Sequence, residues 1–224
     1  MVIEFRLVPT LFLVVLFIIG TNAQQSTEPV QIDEFGQISN DGLMSRLENL
    51  YVELSKQKDS SAVAVLSGNS WERQTNLRRI MGCHEWLKLR TDRISYRFTD
   101  VPEMKVEFWL IPNGTSLSIS GTRPVDYDLS DLQKAVEFSA SQSTDEYCPR
   151  YFDLNLYSRY LKANPSLRGM VMIDTSQRQF VRRVSTYRKQ LSNLGIALSR
   201  IRFYRRHFYH ERDEQWWLIP AKLK

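Results

Sequence analysis

Two stretches of this chain place paired arginines on a helical pattern, Arg78-Arg79 in the first half and Arg182-Arg183 in the second. A guanidinium offers a planar fork of donors that holds a carboxylate through two parallel bonds, so such residues can grip an anion. The same pairs can equally form a solvated helix face, or a surface ion pair contributing under about 1 kcal/mol. Recurrence favours a shared role, although common descent alone would also repeat them.

The other reactive side chains give weaker signals. Cys83 and Cys148 are the only cysteines; Cys83 reads as a small buried hydrophobe or as half of a Cys83–Cys148 clip, and the sequence leaves both open. His207 and His210 lie near each other but far from His84, and no cysteine or carboxylate pattern completes a zinc set, so no metal site is expected. There is no nucleophile elbow, no zincin helix and no phosphate-binding glycine loop. Asp126 and Asp128 lie in a linker where solvated acids are normal, and the neighbours Cys83 and His84 point to different helix faces. No catalytic residue and no cofactor is implied. The strip from Arg200 to His210 interleaves cations with aromatic rings. It could hold a polyanion, but it reads better as an edge strand whose arginines oppose unwanted pairing.

The elements that must position these residues follow the same order twice. Gln31 to Gly36 reads as a strand and turn, and Asn40 or Asp41 as the cap of a helix running to Lys56, with Met44, Leu47, Leu50, Tyr51 and Leu54 at helical spacing. Ala62 to Leu66 is apolar on both sides, as an internal strand would be. A helix from Trp71 to Leu89, an alternating strand from Arg93 to Thr99 and a closing strand from Lys105 to Ile111 complete the first unit. Gly114 to Gly121 is a short strand or linker, Leu129 to Phe138 a modest helix through Leu132, Val136 and Phe138, and Ser139 to Thr144 a hinge. The second unit has a helix from Phe152 to Leu161, then strand, helix, strand and strand. Its opening strand is not evident; either it is lost or the segment near Ile119 supplies it. The expected fold class is α/β (an α+β sandwich), two tandem β-α-β-α-β-β-like repeats with helices on one face of each sheet. The expected divisions are 1–23 leader, 24–113 first repeat, 114–144 linker with a short helix, and 145–224 second repeat.

Charge and the N-terminus bound the setting. Residues 24–144 hold 13 Lys+Arg against 17 Asp+Glu, whereas residues 145–224 hold 16 against 7. The second half therefore meets its partners as a cation. Met1 to Arg6, the apolar run Leu7 to Gly20 and the small residues Thr21-Asn22-Ala23 have the layout of a secretory leader, with an uncleaved anchor as the alternative. The expectation is an exported protein, periplasmic or secreted, starting near Gln24 with no transmembrane span in the mature chain. Export makes nucleic acid a poor partner.

The second copy, Arg182-Arg183 … Leu191 … Gly195-Ile196 … Arg200-Ile201, and more loosely the first, Arg78-Arg79 … Leu87 … Arg93-Ile94, resemble the OmpA-like C-terminal domain of bacterial envelope proteins. The resemblance covers roughly residues 45–112 and 152–220. It implies a periplasmic domain that holds the diaminopimelate carboxylate of a cell-wall stem peptide, using an aspartate after the second strand and an arginine in the next helix. The arginine is matched by Arg79 and Arg183. The aspartate is not: the turn reads Gly68-Asn69-Ser70-Trp71, and in the second copy Asp174 stands a little early. The expected function is a non-catalytic, exported cell-envelope binding or scaffold module associated with peptidoglycan or an acidic envelope component. The alternative is a protein–protein interaction module, paired with another envelope protein, that has lost peptidoglycan binding. An enzyme is the third reading. Arg79, Arg183 and Asp174 are the candidate ligand-binding residues.

Overall fold

A computed structural model of the chain describes residues 28–90, 92–140, 152–206 and 214–221. The expected leader, most of the expected hinge, Cys148, His207 and His210 lie outside the described residues.

The fold is mixed α/β, with two sheets and four α-helices among the described residues. The first sheet is built from β1 (Val30–Phe35), β2 (Ser61–Leu66), β3 (Ile94–Thr99), β4 (Val106–Ile111) and β5 (Thr122–Pro124), in the order β1-β4-β2-β3-β5. The second contains β6 (Val136–Ala140), β7 (Leu167–Asp174), β8 (Ile201–Arg206) and β9 (Glu214–Pro220), in the order β6-β9-β7-β8. Helices α1 (Asn40–Lys56) and α2 (Ser70–Leu87) belong to the first unit, α3 (Leu154–Ala163) and α4 (Gln177–Asn193) to the second.

Without β5 the two sheets have one topology. In each unit the second and third strands run parallel, and the fourth strand pairs antiparallel with the first and second. Each first strand also carries an irregularity at the same place, between Gln31 and Asp33 and between Glu137 and Ser139.

Local chemistry explains most boundaries. Ser39, one residue before the expected cap, accepts from the Gly42 amide to start α1, whose Leu43, Leu47, Leu50 and Leu54 are buried along one stripe. Each such leucine contributes about 1.5–3 kcal/mol by leaving water. Helix α2 opens with a reciprocal capping box between Asn69 and Glu72. Helix α4 is capped by Ser176 and stops at Gly195, whose φ of 75° lies where side chains are disfavoured, so that the Ile196 amide can reach the Leu191 carbonyl at 2.9 Å.

Residues 129–138 are not helical: Val136 and Phe138 face the core of the second sheet as alternate residues of β6. This is the opening strand missing from the sequence reading, and it lies inside the stretch expected to be linker. Leu129, just before it, is also buried in the second core. The Ser- and Thr-rich stretch before Gly121 forms no strand; Leu117 and Ile119 lie against Val63, Val65 and Ile111 on the helix-free side of the first sheet.

Helix α2 sits between the two units. One side packs Leu77, Ile80 and Cys83 into the first core, while Trp71 reaches the second. The carboxylate of Asp131 meets both the amide and the hydroxyl of Ser70, Gln74 Nε2 donates to the Asp126 carbonyl at 2.6 Å, and the Tyr160 hydroxyl donates to Gln74 Oε1. Arg78 is 0 % exposed; it donates to the Phe138 carbonyl and its guanidinium lies 3.9 Å from the Phe138 ring centre. The first arginine of the pair is therefore an internal cation between the units and not a solvated one.

Candidate functional site

The caps of α2 and α4 put the two arginine pairs in different places. Arg79 lies nearly three turns past its cap Asn69, whereas Arg183 lies about two turns past Ser176. With the caps aligned, Arg183 corresponds to buried Asn76, and Arg79 to Thr186. The pairs are about one helical turn out of register, so their similarity in sequence is not a repeated position.

Their surroundings differ accordingly. Arg79 Nη2 donates to the Ile38 carbonyl at 2.8 Å and to Asn40 Oδ1 at 3.0 Å, tying α2 to the entrance of α1. Arg183 Nη1 lies 3.1 Å from Glu214 Oε1, and the Tyr187 hydroxyl lies 2.7 Å from both oxygens of the same carboxylate. Burial, then the Glu214 carboxylate, pushes the Tyr187 phenol well above its ordinary range. Asp174 ends β7 opposite Arg206 of β8, half-buried. Arg183 and Asp174 belong to the second unit and Arg79 to the first, so the three candidates do not form one site.

The arginines that do occupy one position in both units are Arg93 and Arg200, each preceding the third strand. Arg93 Nη2 donates to the carbonyls of Gln57 (2.6 Å) and Ser60, and Arg200 Nη2 to those of Asn164 (2.8 Å) and Leu167 (2.7 Å). Gln57 and Asn164 are the C-caps of α1 and α3, so each cation satisfies carbonyls freed where a helix gives way to a strand. Sequence reasoning saw the repeated Arg-Ile but read it only as a strand start.

The titratable groups that burial perturbs most in the first unit are Tyr51, His84 and Tyr96. His84 Nδ1 is 2.9 Å from the Tyr96 hydroxyl, and the Tyr51 hydroxyl donates to the Arg90 carbonyl at 2.6 Å. Burial lowers the His84 pKa to about 4 and raises that of Tyr51 to about 12. His84 is 2 % exposed and packed edge-on against the Tyr51 ring, which closes it to substrate. Its neighbour Cys83 is buried and disulfide-bonded.

Among the described residues no three His, Cys, Asp or Glu side chains converge as a metal site, and no helix is long and apolar enough to cross a membrane. An open groove of about 650 Å³ runs between β1 and α1, lined by Asp33, Arg46, Asn49 and Glu53 among others. Its cation and one of its acids, Arg46 and Asp33, form an ion pair with each other.

Neither protein-family models, curated proteins nor solved structures provide a match to this chain.

The helix-free faces of the sheets differ in a way that bears on binding. On the first, Val63 and Trp109 stand side by side and are met by the segment carrying Leu117 and Ile119. The same places on the second are Met170 and Trp217, with Arg202 beside Met170 and Tyr204 beside Met172. Arg168, Arg202 and Tyr204 are exposed there. Among the described residues the aromatic–arginine strip thus begins as an edge strand, with Tyr204 43 % exposed.

Proposed function

We propose that this chain is a non-catalytic, exported interaction module of the cell envelope, related in fold to OmpA-like domains, that works through protein contacts and not through a stem-peptide carboxylate. The observation that carries the reading is the occupation of both candidate arginines. Arg183 faces the Glu214 carboxylate, and Arg79 donates to Asn40 and the Ile38 carbonyl. A ligand carboxylate would have to displace the half-buried Glu214 carboxylate from Arg183. With the Arg183 side chain 37 % exposed and that of Glu214 16 % exposed, the pair contributes about 1 kcal/mol, and a competing ligand must supply at least that to displace it.

The junction at α2 supports a scaffold role. Ser70, Gln74 and Arg78 bond across to the second unit, so the units present their outer faces in a fixed relation. Export rests on the N-terminal apolar run, and N-terminal sequencing of the mature protein should begin near Gln24.

The deciding experiment is co-sedimentation with purified peptidoglycan sacculi across a salt series, comparing the native chain with the Arg79→Ala Arg183→Ala variant. The reading expects no retention beyond a salt-labile background, equal for both proteins. Salt-resistant retention that the double substitution abolishes would restore cell-wall binding as the function.

A further inference from the structure

The segment between β4 and β6 completes the first unit in two ways. Leu117 and Ile119 cover the helix-free face of its sheet, while Ser116, Ser118 and Ser120 point outward and are exposed. The chain then adds β5 as an antiparallel edge strand, Thr122 opposite Thr99 and Pro124 opposite Arg97. In the second unit the counterpart of β3 is β8, and among the described residues β8 pairs with β7 alone. The face next to it presents Met170, Met172 and Trp217 in place of Val63, Val65 and Trp109.

The charges on the two faces differ as well. Ser61 and Ser95 in the first sheet stand where the second has Arg168 and Arg202, both exposed. The acids at the rim, Glu137 opposite Trp217 and Asp174 opposite Arg206, are half-buried, so among the described residues the exposed charges flanking the apolar strip are cationic. Among the described residues Met170, Met172 and Trp217 are half-buried where Val63 and Val65 are buried, and such a strip between cations does not suit a second copy of the neutral Ser-rich segment. It suits the same kind of segment carrying acids in place of the serines.

We propose that the helix-free face of the second sheet, with the edge of β8 that is unpaired among the described residues, docks an extended acidic segment of a partner protein. Two aliphatic side chains at alternate positions lie on Met170, Met172 and Trp217, as Leu117 and Ile119 lie on the first sheet. Carboxylates on the outward positions meet Arg168 and Arg202, and the following residues pair with β8 by strand addition. This deepens the interaction reading above by naming the surface and the partner's chemistry, and it rests on that reading.

The test uses a labelled peptide copying residues 113–125 with Ser116, Ser118 and Ser120 changed to Asp, titrated into the full chain. Saturable binding is expected, weakening as salt rises. The unaltered Ser peptide should bind at least about tenfold more weakly. An Arg168→Glu Arg202→Glu variant, whose exposed substitutions leave its melting curve unchanged, should lose at least about tenfold; Met170→Asp should lose binding through the apolar strip instead. The proposal is overturned if the folded chain does not bind the acidic peptide, or if neither substitution weakens binding. It is also overturned if anionic vesicles or a polyanion bind through Arg168 and Arg202 while the peptide does not. Such failures leave the interaction reading standing, because only salt-resistant, Arg79- and Arg183-dependent retention on sacculi overturns that.

Discussion

Arg93 and Arg200 do the same work in the two units: each guanidinium bonds the C-cap carbonyl of the unit's first helix and the carbonyl that opens its central strand. Changing either to Ala removes the guanidinium bonds at both places, although the C-cap carbonyl keeps one backbone donor, the Ser60 amide at Gln57 (3.1 Å) or the Leu167 amide at Asn164 (3.0 Å). The expected loss is about 2–4 kcal/mol of unfolding free energy in urea, with Lys restoring only part, because a single ammonium cannot reproduce the fork. Equal losses in the two units would support the common geometry; a loss under about 0.5 kcal/mol at either would show that solvent replaces the clamp.

Arg78 joins the units. The Arg78→Ala variant should lose about 3 kcal/mol or more, because the cavity and the freed Phe138 carbonyl are both internal. If α2 couples the halves, a single unfolding transition in the native chain should separate into two in the variant. Calorimetry reads both effects, and an unchanged single transition would argue against coupling through this residue.

His84 sets an acid limit on stability. Its folded pKa of about 4 lies below the unfolded value of 6.5, so the fold holds the neutral ring. Its contribution is complete above pH 6.5 and falls as pH drops towards 4, where the unfolded chain gains a proton that the folded one does not. The loss across that window is up to about 3 kcal/mol. Urea melts at pH 7 and pH 4.5 should differ by less in a His84→Gln variant than in the native chain; an equal difference would place the acid sensitivity elsewhere.

Gly169 is required by a hydroxyl. A Cβ there would overlap Tyr157 Oη and Ile201 Cδ1, and the Tyr157 hydroxyl is held by its 2.8 Å bond to the Trp217 carbonyl. Gly169→Ala should cost about 1–3 kcal/mol. Adding Tyr157→Phe removes the nearer obstacle, so the double variant should lose less than the sum of the single ones. Additive losses would mean that Ile201 is the obstacle that matters.

What could be read from the sequence was what has a period. The stripe from Leu47 to Leu54 and the alternation of Ile94, Tyr96 and Phe98 gave α1 and β3 close to their observed ends. Strand β6 was hidden because Leu132, Val136 and Phe138 also fit a helix, and its identity is decided by pairing with β9, far away in sequence. The arginine pairs misled for a related reason. Letters can be aligned across a repeat in any register, but only the caps at Asn69 and Ser176 show which turn of each helix an arginine occupies. Arg78 could not be recognised as buried, since the Phe138 ring that covers it comes from the other unit.

The central claim is that Arg79 and Arg183 serve the fold while recognition belongs to the helix-free face of the second sheet. The most direct measurement compares three proteins for retention on immobilised, detergent-solubilised envelope protein: the native chain, Arg79→Ala Arg183→Ala, and Met170→Asp Arg202→Glu, each confirmed folded. The account predicts that the first variant is retained like the native chain and the second is not. Loss in the first variant with retention in the second would contradict it.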